Sequence, residues 1–195
     1  MKRSFTLVEL IIAIFLMASV ILAAMAFNLA SNEFFASSTK KGSVLNDLTF
    51  LLEHIQKNVF NGIGDINNPA IEVVEDTTAG TIALTIKQDM NVAGIQNNTP
   101  QDYSDDRQVK YIFDYTNYKV IFKIFDSGGS EVHKEDLANK LNNDDGSLSI
   151  SVVDLGVKIN NLNLRLDPAK AVDDRHNPQV SIDEQFFFSS SHSMS

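Results

Sequence analysis

The sequence predicts an α+β fold: a long N-terminal helix, half membrane-spanning and half amphipathic, packed on an antiparallel β-sheet head. Three observations carry that prediction. Residues 5–30 are almost uninterruptedly apolar, residues 44–59 place apolar side chains at helical spacing, and beyond Gly64 the pattern changes to the alternation of strands. The 195-residue chain therefore divides into a basic leader (1–4), a transmembrane helix (5–30), its amphipathic continuation (31–60) and a β-rich head (61–195).

The apolar run is the first element. From Leu10 to Phe27 the chain reads LIIAIFLMASVILAAMAF, with only Ser19 polar. At about 1.5 Å per residue this stretch spans roughly 27 Å, close to the ~30 Å hydrocarbon core of a bilayer. Lys2 and Arg3 precede it, which favours a cytoplasmic N-terminus and an extracytoplasmic head. A secretory signal peptide would share the basic start and offers a small-residue site at Ala24-Met25-Ala26. Its apolar core, however, would be shorter, about 7–15 residues. It would also have no reason to carry Glu9, whose unpaired carboxylate costs on the order of 2–3 kcal/mol in lipid.

No Gly or Pro interrupts the chain from Phe5 to Lys41, so one helix is expected to run to about residue 60, roughly 80 Å. Val44, Leu48, Leu51, Ile55 and Val59 form its apolar stripe, flanked by Leu45 and Leu52. Gly42 is expected as a tolerated surface glycine, and Gly62 and Gly64 end the pattern. Strands follow at 71–74 and 81–87 around the turn 77–80. A polar loop covers 95–107, and an aromatic hairpin spans 109–115 and 118–125, with Asn117 as its left-handed turn residue. Lys134–Leu141 is expected as a short helix. Further strands are expected at 148–153, 157–166 and 179–188, the last following a polar loop at 167–178 and burying Phe186, Phe187 and Phe188.

Composition removes several functional classes. The chain has no cysteine, so disulfides, zinc knuckles and thiol catalysis are excluded. Setting aside Lys2, Arg3 and Glu9 leaves 14 basic and 24 acidic residues, a charge of −10, so nucleic-acid binding by a basic surface is not expected. His54, His133, His176 and His192 stand singly, without a zinc-hydrolase spacing. Asp173-Asp174-Arg175-His176 reads as a solvated loop. Asn142-Asn-Asp-Asp-Gly146 resembles a calcium loop only superficially, because Leu141 and Val152 fall where ligands are needed. No nucleophile elbow, dinucleotide fingerprint or P-loop occurs. No enzyme activity, catalytic residue, cofactor or metal site is expected.

Ser4-Phe5-Thr6-Leu7-Val8-Glu9-Leu10 resembles the prepilin cleavage and methylation motif of type IV pilins and type II secretion pseudopilins. The resemblance implies that a prepilin peptidase cuts between Ser4 and Phe5 and methylates the new amino group. Glu9 then becomes the fifth residue of the mature chain and faces the Phe5 amine of a neighbouring subunit. Ser4 departs from the family's glycine before the cut, though it is also small. The order of elements, the helix end at 48–60 and the hairpin VKYIFDYTNYKVIFKIF loosely resemble PilW-like minor pilins and J-type pseudopilins. The implied partners are the peptidase, other pilin or pseudopilin subunits and the inner membrane. The implied location is a single-pass inner-membrane protein with a periplasmic head, incorporated into a filament. Its length suits a minor subunit, and Glu9 argues against the tip pseudopilin that lacks this acid. The rival readings are a membrane-anchored binding or enzymatic domain with a pilin-like leader, and a cleaved, freely soluble secreted protein.

Overall fold

A computed structural model describes residues 6–65, 67–143, 146–154 and 156–189. Helix α1 (Leu7–Phe60) is 54 residues long, about 80 Å at the usual rise. Thr6 caps its N-terminus in extended conformation, and Asn61 caps its C-terminus with a backbone bond to Val59. The chain then makes a close turn. A Cβ at Gly64 would collide with the backbone of Asn68 and Ala70, so no larger residue fits without moving main chain.

Nine strands follow, β1 (Ile71–Asp76), β2 (Thr81–Gln88), β3 (Arg107–Asp114), β4 (Lys119–Phe125), β5 (Glu131–Ala138), β6 (Leu141–Asn142), β7 (Ser149–Val153), β8 (Gly156–Arg165) and β9 (Gln179–Phe188). The first five form an antiparallel meander in sequence order. The other four form a second sheet centred on β8, so the head holds two sheets where the sequence suggested one. Strand β9 pairs along nearly all of β8. Because Val157 and Leu164 each pair with β9 and also with β7 or β6, the two shorter strands share β8's other edge.

Periodicity explains the core. Val44, Leu48, Leu51, Ile55 and Val59 are all at most 1% exposed, as a stripe advancing three or four residues per turn requires. They meet the inward-facing alternate residues of the sheets, including Leu84, Ile86, Val109, Tyr111, Phe113, Ile159, Leu162 and Phe187. Leu45, one position off the stripe, is half exposed. Gly42 has open space beside it.

Three local expectations are corrected. Residues 131–138 form strand β5 instead of the short helix expected at 134–141. Helix-forming Lys, Glu and Asp suggested a helix, but there is no apolar stripe to bury. The open edge of β4 offers a ladder, and Lys119–Asp136 and Lys123–Glu131 ion pairs at 2.6 Å close over it. A charged edge strand of this kind resists further strand pairing. In the β3–β4 turn the left-handed residue is Tyr118 (φ 59°), not Asn117. Asp114 accepts both the backbone and side-chain N–H of Asn117, which passes the left-handed position one residue on. The terminal phenylalanines alternate, with Phe187 buried and Phe186 and Phe188 exposed and stacked at 6.4 Å.

Candidate functional site

The first half of α1 touches nothing else in the chain over most of its length. Among the described residues no side chain before Val44 is buried, and the apolar residues from Leu7 to Leu29 stand exposed. This is the one helix among the described residues long and apolar enough to cross a membrane, and it lies near the N-terminus. Single-pass anchoring through it is compatible with its length and composition. Within it, Ser19 donates its hydroxyl to the Phe15 carbonyl at 2.8 Å, so its polar group is satisfied inside the helix.

Glu9 lies at the third helical position. One oxygen of its carboxylate accepts the Thr6 backbone N–H at 2.8 Å and the Thr6 hydroxyl at 2.9 Å. In return the Glu9 N–H donates to Thr6 Oγ1 at 3.3 Å. The pair is a capping box, which satisfies backbone donors that a helix start leaves open. Sequence reading assigned Glu9 to an assembly role and overlooked this one, although Thr-x-x-Glu is its signature. Ser4 and Phe5, the residues expected to flank a cleavage point, lie outside the described residues.

The exposed apolar surface extends past the expected boundary at residue 30. Phe34 and Phe35 are about two-thirds exposed and pack edge-on at 6.1 Å. Successive helical residues turn by about 100°, so Phe34 and Leu45 flank the buried stripe while Phe35 faces away from it. The first side-chain hydrogen bond from the helix to the head is at Ser37, whose hydroxyl donates to the Asp174 carbonyl at 3.0 Å, and Arg175 lines a shallow recess with Ala30, Glu33 and Phe34. Asp174 belongs to the 167–178 loop, where Asp173 caps Arg175 and sits 2.9 Å from His176 Nδ1, exposed as expected.

No family model, no curated protein and no solved structure matches the chain.

A polar chain locks the helix end to the first sheet. Asn58 Nδ2 donates to the Tyr111 hydroxyl at 2.7 Å and to the His54 carbonyl at 3.0 Å. Gln88 Nε2 donates to the Asn58 carbonyl at 2.9 Å, and Arg107 Nε donates to Gln88 Oε1 at 2.9 Å. His54 Nδ1 lies 2.8 Å from the Tyr111 hydroxyl, with its ring edge-on to Phe122 at 4.7 Å. Burial holds the His54 imidazole below its ordinary range; Glu135 opposes that and Lys57 adds to it. Burial also pushes the Tyr111 phenol up. These groups bond to one another, and the arrangement joins the end of α1 to the first sheet.

Elsewhere the fold brings Asp89 to the adjacent pair Asp105 and Asp106. Burial, then the neighbouring Asp89, Asp105 and Asp102, push the Asp106 carboxyl up to about 6. No short motif announces this group, because a 15-residue loop separates its members.

Proposed function

We propose that the chain is a filament subunit of the type IV pilin kind, a minor pilin or a type II secretion pseudopilin, with a structural role. The observation that carries this reading is α1 itself. Its first half is an apolar helix exposed on all sides, and it continues without a break into a half buried in the head. A helix exposing so much apolar surface needs lipid or other helices around it. Before assembly, a bilayer would cover it, with the N-terminus cytoplasmic and the head outside. In a filament, the same surface would pack against neighbouring α1 helices. Phe34, Phe35 and Leu45 extend that surface toward the head, where a membrane anchor alone has no use for them.

Glu9 supplies the register. Its carboxylate would meet the Phe5 amine of the adjacent subunit, and each charge would offset the cost of the other in a low-dielectric core. The amine exists only after a prepilin peptidase cuts between Ser4 and Phe5. Mass spectrometry of the N-terminus from membrane-derived protein, with and without the peptidase, tests this directly. The expected mature chain begins at N-methylated Phe5 and is absent without the enzyme. A chain beginning at Phe27 would sink the reading, since the helix would have been discarded.

A further inference from the structure

The loop joining β2 to β3 folds back so that three aspartates meet at the end of the ladder. Gln88↔Arg107 is the last pair of the two strands; Asp89 follows the one and Asp106 precedes the other. Asn97 ties the loop across this end, its backbone N–H on the Asp89 carbonyl at 3.2 Å and its side-chain amide on the Asp105 carbonyl at 3.0 Å. One carboxylate oxygen from each aspartate lies within 4.8 Å of the others. Ligands of a single calcium ion, each about 2.3–2.6 Å away, stand at most roughly 5 Å apart. The three carboxylates are thus close enough to share one ion.

Clustered acids on a surface are common, and Asp105 is exposed. Asp106 is different. It is only 4% exposed, and both of its carboxylate oxygens are buried without a hydrogen-bond partner. A buried ionised carboxylate without donors is strongly disfavoured, and proteins normally pair it or coordinate it to a metal. Lys87 acts on Asp106 only through space, and two nearer donors are spent elsewhere. Thr99 gives its N–H to Asp89 Oδ2 at 3.0 Å. Its single hydroxyl proton is divided between Asp89 Oδ1 at 3.2 Å and Asp105 Oδ2 at 3.1 Å. The adjacent guanidinium of Arg107 turns away, toward Gln88 and the Asn91 carbonyl. Three carboxylates converge, and the one deepest in the protein has no counter-charge bonded to it.

We propose that Asp89, Asp105 and Asp106 bind a calcium ion, with Asp106 the inner ligand and Thr99 orienting the other two carboxylates. The donors are all oxygen, which selects hard cations over zinc or copper. An irregular loop suits calcium's flexible coordination better than the strict octahedron of magnesium. The ion would pin the 89–106 loop to the Gln88–Arg107 end of the β2–β3 ladder. This departs from the sequence reading, which expected no metal site, and it stands independently of any filament role.

The test uses the full chain in detergent, stripped of metal with a chelator and titrated with calcium chloride or magnesium chloride alone. Calorimetry is expected to report one calcium per chain, and the melting temperature is expected to rise with calcium and less with magnesium. Asp106→Asn should weaken calcium binding by about tenfold or more, since affinity follows ligand charge. Without metal the same variant should melt at or above wild type, because the uncompensated charge is gone, and this also shows that it folds. Asp105→Asn, at an exposed position, should weaken binding without disturbing the core. No heat and no melting shift up to about 10 mM calcium, above the range of weak extracellular sites, would overturn the proposal. Undiminished binding in both variants would overturn it as well, and an equal response to magnesium would overturn the choice of ion.

Discussion

Glu9 meets two demands with one carboxylate. Inside its own chain it completes a capping box with Thr6, and in the proposed filament it also neutralises a neighbour's amine. Two substitutions separate these demands. Glu9→Gln keeps an acceptor for the Thr6 N–H, as capping boxes allow, but removes the charge. Glu9→Leu removes both and makes the helix more apolar, so membrane insertion and cleavage should be preserved. Removing one partner of a buried pair typically costs about 3–5 kcal/mol, against roughly 0–1 for a surface pair. The Leu variant should therefore be almost absent from sheared filaments while its membrane level matches wild type, with Gln between the two. Co-purification with filaments, normalised to membrane level, is the measurement. Assembly of the Leu variant at wild-type efficiency would remove Glu9 from the mechanism.

At the level of elements, the junction between α1 and the first sheet depends on a neutral His54. Its imidazole is held below the ordinary value of 6.5 by burial, despite Glu135 on β5. Between that value and the lowered one, the unfolded chain binds a proton that the folded chain resists. The stability contributed by neutral His54 is therefore present above about 6.5 and is lost as pH falls through that window. Melting temperature from pH 7 to pH 5 should fall more steeply for wild type than for His54→Gln, every other titrating group being common to both. Parallel curves would show that His54 stays unprotonated for some other reason or that the joint does not feel its charge. Much of this element-level structure is legible in the sequence. The helix stripe and seven of the strands follow from the pattern of the sequence, because burial on one face imposes a period. Strand β5 does not, since its side chains are exposed on both faces and its only instruction is the free edge of β4. The Tyr118 turn likewise depends on an Asp114–Asn117 bond that no propensity encodes. The aspartate cluster is further still from legibility, because it exists only once the β2–β3 register has closed the loop.

On the scale of the whole molecule, the boundary between anchor and head is fixed by where burial begins. Among the described residues nothing before Val44 is buried, and the first side-chain hydrogen bond from α1 to the head is that of Ser37. A chain beginning at Ser37 therefore loses no core residue and keeps the complete stripe from Val44 to Val59. It also sheds Phe34 and Phe35, the last large exposed aromatics of the apolar half. The remaining head is strongly acidic, and like charge keeps such surfaces apart. It should be a soluble monomer without detergent, melting as the full chain's head does. A chain beginning at Ser31 should also dissolve but associate at high concentration, since the Phe34–Phe35 pair then sits on a short, unanchored helix end. Light scattering coupled to size-exclusion chromatography distinguishes the two. If the Ser37 chain dissolved only in detergent, the head itself would carry the lipid-facing surface. The division of labour along α1, on which the filament reading depends, would then be wrong.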